Sequence, residues 1–124
     1  VACLKYYDDA KILENVNASG KALGEELEAL KAKYEIVGDV RYIGLFSAIE
    51  LVRNRETKAP LVEYGKDPAG IMKSIIGKLK EKGFMTYSHE NMILICPPLI
   101  ITPEQVREEM KKVDEVIAEI NGIY

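Results

Sequence analysis

Residues 92–96, MILIC, are continuously apolar and run straight into Pro97 and Pro98. Five apolar residues are short for a helix and suit a strand, here expected to be buried on both faces. Neither proline can donate to a ladder, and Pro98 biases Pro97 away from helical backbone, so pairing must end there. Three apolar residues later the chain restarts as a helix. The Thr102 hydroxyl can cap orphan amides, Pro103 fits the first helical position, and Gln105 stands where a capping box places Glu or Gln. Val106, Met110, Val113, Ile117 and Ile120 then recur at helical spacing, which predicts an amphipathic helix packed on another layer.

Upstream, residues 1–9 read as the end of a helix that begins without a capping residue. The longest helical pattern covers residues 12–34, where Leu13, Val16, Gly20, Leu23, Leu27, Leu30 and Tyr34 recur every three or four positions. Gly20 and Gly24 lie near that stripe at a cost of about 1 kcal/mol each relative to alanine, so close packing on a sheet or a partner chain is expected. Val40, Tyr42, Leu45, Ala48, Ile49, Leu51 and Val52 suggest one or two strands joined across Gly44. RNRETKAPLVEYGKDP is polar, holds two prolines and reads as a long loop or extended excursion. Ile71, Met72, Ile75, Ile76 and Leu79 mark a helix ended by Gly83, FMTYS a short strand, and His89, Glu90 and Asn91 the turn into the MILIC run. The expected class is α+β, a small antiparallel-rich sheet covered by helices.

The 124 residues, 48% hydrophobic and 30% charged, allow one domain with a core. A net charge of −3 argues against a nucleic-acid partner or an anionic membrane surface. Lys73, Lys78, Lys80 and Lys82 cluster, but Glu81 interrupts them and they share a helix with apolar residues, as a solvated face does. No apolar run approaches a membrane span and no signal-peptide pattern opens the chain, so a cytoplasmic location is expected. Cys3 and Cys96 lack any metal or CxxC spacing and read as core thiols.

Chemistry is sparse. The chain has no GxGxxG, P-loop or GxSxG pattern. The single histidine, His89, is expected in a solvent-exposed turn rather than beside a nucleophile. The carboxylate pairs Asp8–Asp9, Glu25–Glu26 and Glu108–Glu109 lie among lysines on helices, as solvated faces do. Each lysine sits in a charged or polar context, whereas imine chemistry needs burial to lower the amine's pKa. No catalytic residue and no metal ligand is assigned, and the residues alone describe no complete active site.

VRYIGLFSAIELVRNRETKAPL, followed by LKEKGFMTYSHENMILICPPLIITPEQVREEMKKVDEVI, resembles the C-terminal small domain of class III aminotransferases, pyridoxal-phosphate enzymes of fold type I. The resemblance covers nearly the whole chain, with VACLKYYDDAKILENV similar to the end of the long interdomain helix and its sequel. It implies that residues 1–124 form a single domain and a fragment of a longer enzyme, residues 1–9 being the end of the interdomain helix. The cofactor lysine, the aspartate on the pyridine nitrogen and the phosphate loop would belong to a large domain outside this chain. The parent would use pyridoxal 5'-phosphate to move an amino group from an amine or ω-amino acid to a keto acid such as pyruvate, working as a homodimer. This piece alone would bind no cofactor and be inactive.

The family's hairpin can carry a substrate-carboxylate arginine at positions matching Tyr87 or Leu94, and neither is arginine here. Tyr87 and Ser88 are the expected substrate-facing residues, and any acid group must be gripped from elsewhere or the donor must differ. Arg41 is expected in a structural ion pair, and Tyr42 follows it where family members often have glycine. The hairpin is closest in texture to taurine and β-alanine:pyruvate aminotransferases. Two other readings stay open: a stand-alone α+β module that binds a small ligand, and a protein-interaction domain using the glycine-bearing helix face.

Overall fold

A computed structural model describes residues 1–124. Its elements are α1 (Ala2–Asp9), α2 (Ile12–Lys33), β1 (Val37–Ile43), β2 (Phe46–Asn54), β3 (Ala59–Pro60), α3 (Ile71–Glu81), β4 (Tyr87–His89), β5 (Met92–Ile95) and α4 (Pro103–Asn121). The strands pair antiparallel in the order β1-β2-β5-β4, and β3 joins β2 to one side. The expected α+β class is what the chain adopts. Gly44 turns β1 into β2 with a φ of +55°, which a residue with a side chain rarely adopts.

Register fixes which side chains share a face. Val40 pairs with Ile49 and Ile49 with Ile93, and this row points at α2 and α4. The helices answer with Leu23, Leu27 and Leu30 from α2 and Val106, Met110, Val113, Val116, Ile117 and Ile120 from α4. Met72, Ile75 and Leu79 of α3 close the same core. The approach of α2 depends on its glycines: a Cβ on Gly20 would lie 2.7 Å from the Gly44 carbonyl oxygen. One on Gly24 would lie 2.6 Å from the ring of Tyr42, so α2 makes room for the bulk that follows Arg41.

The α4 start is as read. Thr102 Oγ1 accepts from the Gln105 amide at 3.2 Å, and Gln105 Oε1 accepts from the Thr102 amide at 3.0 Å. The apolar loop between the prolines and this cap is held from α2. Asn15 Nδ2 donates to the carbonyls of Leu99 at 2.7 Å and Ile101 at 2.9 Å, and Ser19 Oγ donates to Ile101 at 2.6 Å. Arg55 closes the far end of α2, its Nη2 donating to the carbonyls of Lys31, Tyr34 and Val37 at 2.7, 2.6 and 2.8 Å.

Several expectations are corrected. In β5 only Ile93 and Ile95 are buried while Met92 and Leu94 are half-buried, because the helices cover one face of the sheet and not both. Leu13 is exposed and Ile12 takes its place in the stripe. Both cysteines are exposed. Cys3 lies on α1, which buries no residue, and Cys96 follows inward-facing Ile95 and so turns out. The FMTYS strand pairs only from Tyr87, so His89 belongs to β4 and the turn narrows to Glu90 and Asn91. The RNRETKAPLVEYGKDP excursion carries β3 back onto β2 and buries Leu61 and Val62. No helix is long and apolar enough to cross a membrane.

Candidate functional site

The face of the sheet turned away from the helices is ordered by the same pairing. One row across the strands is His89, Met92, Glu50 and Asp39, and the next is Tyr87, Leu94, Ala48 and Arg41. Beyond them Phe46 pairs with Ile43, both exposed, so the face grades from polar at one end to apolar at the other. Arg41 is the centre of the polar end. Its Nε lies 3.3 Å from Asp39, its Nη2 bonds Glu50, and its Nη1 lies 3.5 Å from the Met92 sulfur. Lys31 Nζ reaches Asp39 Oδ1 at 2.8 Å, completing an ion network in which Arg41 has the structural role expected of it.

These contacts set the protonation of the network. The hydrogen bond from Lys31 pulls the Asp39 carboxyl below its ordinary value, and the same bond raises Lys31. Lys33 is raised by the Tyr34 hydroxyl and Asp114, and Lys78 by Glu119. An imine-forming lysine needs the opposite shift, produced by burial, and no lysine of this chain is buried. No group of histidine, cysteine, aspartate and glutamate is placed to hold a metal ion.

Tyr87 and Ser88 are neighbours on the edge strand β4, so alternation sends them to opposite faces. Tyr87 pairs with Leu94 on the open face; Ser88 pairs with Ile93 and points toward the helices. They meet at one place, a groove of about 530 Å³ along the sheet edge, closed by α3 and the loop before it. Met72 and Ile76 give it an apolar floor, and Lys66, Lys73, Asp67 and Glu90 line its polar rim. Two of these carboxylates hold backbone. Asp67 accepts from the amides of Ile71 at 2.7 Å and Met72 at 3.0 Å at the start of α3, and Glu90 accepts from Gly65 at 2.8 Å.

His89, expected in a turn, stands on this face as the last residue of β4. The signal was present in the period of two: once β4 extends to residue 89, its side chain must share the face of Tyr87. A second cavity, of about 220 Å³, opens where β5 ends and is lined by Phe84, Met85, Ile95, Pro97, Ile101 and Met110. It is almost wholly apolar, and its one carboxylate, Glu109, is paired with Lys112 at 2.8 Å.

The sequence profile of Aminotransferase class-III matches residues 1–117. The taurine–pyruvate aminotransferase of Bilophila wadsworthia is 30% identical over 127 residues, covering 97% of this chain and 26% of that enzyme. The adenosylmethionine-8-amino-7-oxononanoate aminotransferase of Methanocaldococcus jannaschii is 38% identical over 106 residues, covering 86% of this chain and 22% of that one. Among solved structures, the taurine:2-oxoglutarate aminotransferase of Bifidobacterium kashiwanohense, in complex with PLP and glutamate, superimposes with a TM-score of 0.89 at 38% identity. The match covers 94% of this chain and 26% of that one. The chain thus spans about a quarter of the length of the relatives it matches.

Proposed function

The chain belongs to the class III aminotransferases, and from that premise we propose that residues 1–124 are the C-terminal small domain of a longer transaminase. The parent transfers an amino group from an amine or ω-amino acid to a keto acid such as pyruvate. The observation that carries this reading is the likeness, over 94% of the chain, to an enzyme that takes taurine. The exposed apolar end of the open face, Ile43 and Phe46, supports a chain that continues into further structure. In this reading α1, which buries nothing of its own, is the end of an interdomain helix. The partners are a large domain and a second subunit, and the enzyme is cytoplasmic.

Pyridoxal 5'-phosphate, the family's cofactor, supplies an electron sink for the transfer when bound. The side chains here do not fit a seat for it. Every lysine is outside the core, those with a resolved shift are raised, and the groove's rim includes three carboxylates, Glu63, Asp67 and Glu90, unsuited to a phosphate. In this reading the cofactor is held by sequence outside this chain, and the 124 residues alone are inactive. What they supply is a wall. Tyr87 borders the substrate from the open face and Ser88 from the edge groove, and the domain excludes water as it closes.

The test is a transaminase assay of the polypeptide that contains this chain, with taurine, β-alanine and 5-aminovalerate as donors and pyruvate as acceptor. Turnover of at least one is expected. Turnover of none would remove the donor class, and absence of activity with any amine would remove the enzyme.

A further inference from the structure

The register of β4 on β5 runs His89–Met92, Ser88–Ile93 and Tyr87–Leu94. Continued, it would set Met85 opposite Cys96, but the two segments part there. β4 begins at Tyr87, β5 ends at Ile95, and no backbone hydrogen bond joins residues 84–86 to residues 95–97. Which way Cys96 faces follows from its neighbours. The Asn91 carbonyl accepts from the Leu51 amide of β2 at 2.8 Å. Backbone edges alternate along a strand, so Ile93 and Ile95 present theirs to β2, and Met92, Leu94 and Cys96 present theirs toward β4. The two carbonyls before Cys96 are taken, that of Leu94 by Thr86 Oγ1 and that of Ile95 by Ser47 Oγ at 3.0 Å. The Cys96 N–H and carbonyl turn toward the missing rung and bond nothing in the chain.

The parting opens the mouth of the 220 Å³ cavity, which Met85, Thr86, Ile95 and Cys96 border. Behind the mouth its walls are Leu23 of α2, Phe84, Ile101, and Val106 and Met110 of α4, and its one carboxylate is already paired with Lys112. An apolar pocket with a few convergent polar groups at one end has the form of a small-ligand site. We propose that this cavity binds a small uncharged amide whose apolar tail has about the bulk of one aromatic ring, the size of molecule that a dry apolar cavity takes up. The ligand's carbonyl accepts from the Cys96 N–H and its N–H donates to the Cys96 carbonyl, so one group supplies both halves of the absent rung. A carboxylate does not fit: it only accepts, it would face the Cys96 carbonyl, and nothing at the mouth offsets the loss of its hydration.

The experiment titrates hexanamide into the full-length protein that contains this chain, with calorimetry for affinity and hydrogen exchange by mass spectrometry for location. Burial of the pentyl tail predicts saturation with a Kd on the order of 1 mM, and exchange slows in the peptide spanning residues 92–101. N,N-dimethylhexanamide, which has no N–H, and hexanoate, which has a charge and no donor, are each expected to bind at least about fivefold more weakly, the worth of one neutral hydrogen bond. Cys96→Pro removes the amide donor and weakens hexanamide about fivefold, whereas Cys96→Ala keeps the donor and binds as wild type does. Ile101→Phe fills the cavity and abolishes binding. Three results on the wild type overturn the proposal: no saturation at about tenfold above the expected Kd, equal affinity for hexanamide and its dimethyl form, or binding that leaves exchange at residues 92–101 unchanged. A folded Ile101→Phe that binds hexanamide as wild type does overturns it as well.

Discussion

On the helix-covered face of the sheet Val37, Ile49, Leu51 and Ile93 are fully buried, whereas at the hairpin end of the open face Ile43 is 79% and Phe46 61% exposed. Both sets are apolar and both come from the same strands. The covered set is accounted for by this chain, since α2 and α4 fill the space above it. The open set is not, since nothing in the 124 residues covers it. Apolar character in a strand therefore specifies burial in two different places, one inside the domain and one against whatever the domain meets.

That contrast is broken most directly on β2, where the two kinds of position lie three residues apart. Ile49→Ala leaves a cavity under both helices and is expected to cost about 2–5 kcal/mol in a urea titration of the full-length protein's domain transition. Phe46→Ala removes a larger side chain from the open face and, if nothing but solvent meets it, should stay within roughly 0.5 kcal/mol. A large cost for Phe46→Ala in the intact enzyme, together with a small one in the 124-residue chain, would place its partner outside these residues.

A smaller effect sharpens how the covered face is sealed. At Gly20 alanine would gain about 1 kcal/mol of helix propensity. Against this, the new methyl would meet three backbone atoms of Gly44 at 2.7–2.8 Å, and backbone cannot swing aside as a side-chain end can. The overpacking term, about 1–3 kcal/mol, is expected to win, giving a net loss of up to about 2 kcal/mol by the same titration. A stabilised Gly20→Ala would mean that the hairpin tip is free to move off α2.

The covered face was legible because its signals are local or periodic. Thr102, Pro103 and Gln105 announce α4 in adjacent residues, and Leu23, Leu27 and Leu30 announce α2 by spacing. The open face was not. MILI lacks a polar alternate because Met92 and Leu94 are themselves apolar, so the period of two was erased and the strand read as buried on both sides. Sequence alone gives His89 to a turn because β4 is three residues long, too short to show a pattern of its own. Cys96 looked like core for the same reason as Leu94, since sequence cannot tell a face covered by helices from one left open. Resemblance points to Tyr87 and Ser88 together, and only the register separates them.

The smallest expected effect tests whether the polar end of the open face is held by charge or by shape. Asp39 has its carboxyl lowered from an ordinary 3.8, first by the Lys31 hydrogen bond, so its contribution is present above 3.8 and is lost as pH falls through the lower, folded value. Lys31 is raised from 10.5 by the same bond, so its contribution is present below 10.5 and is lost as pH rises through the higher, folded value. Between those limits the pair is intact. Asp39→Asn, which keeps the size and removes the charge, should therefore lower the melting temperature slightly at pH 7. The difference should shrink in high salt, because both side chains are more than one-third exposed. It should also close as the pH falls from 3.8 through the lower, folded value, where wild-type Asp39 loses its charge too. A difference that persists unchanged at low pH would mean that Asp39 acts through packing against Arg41. The ion network would then be a consequence of the fold at this end of the sheet and not one of its supports.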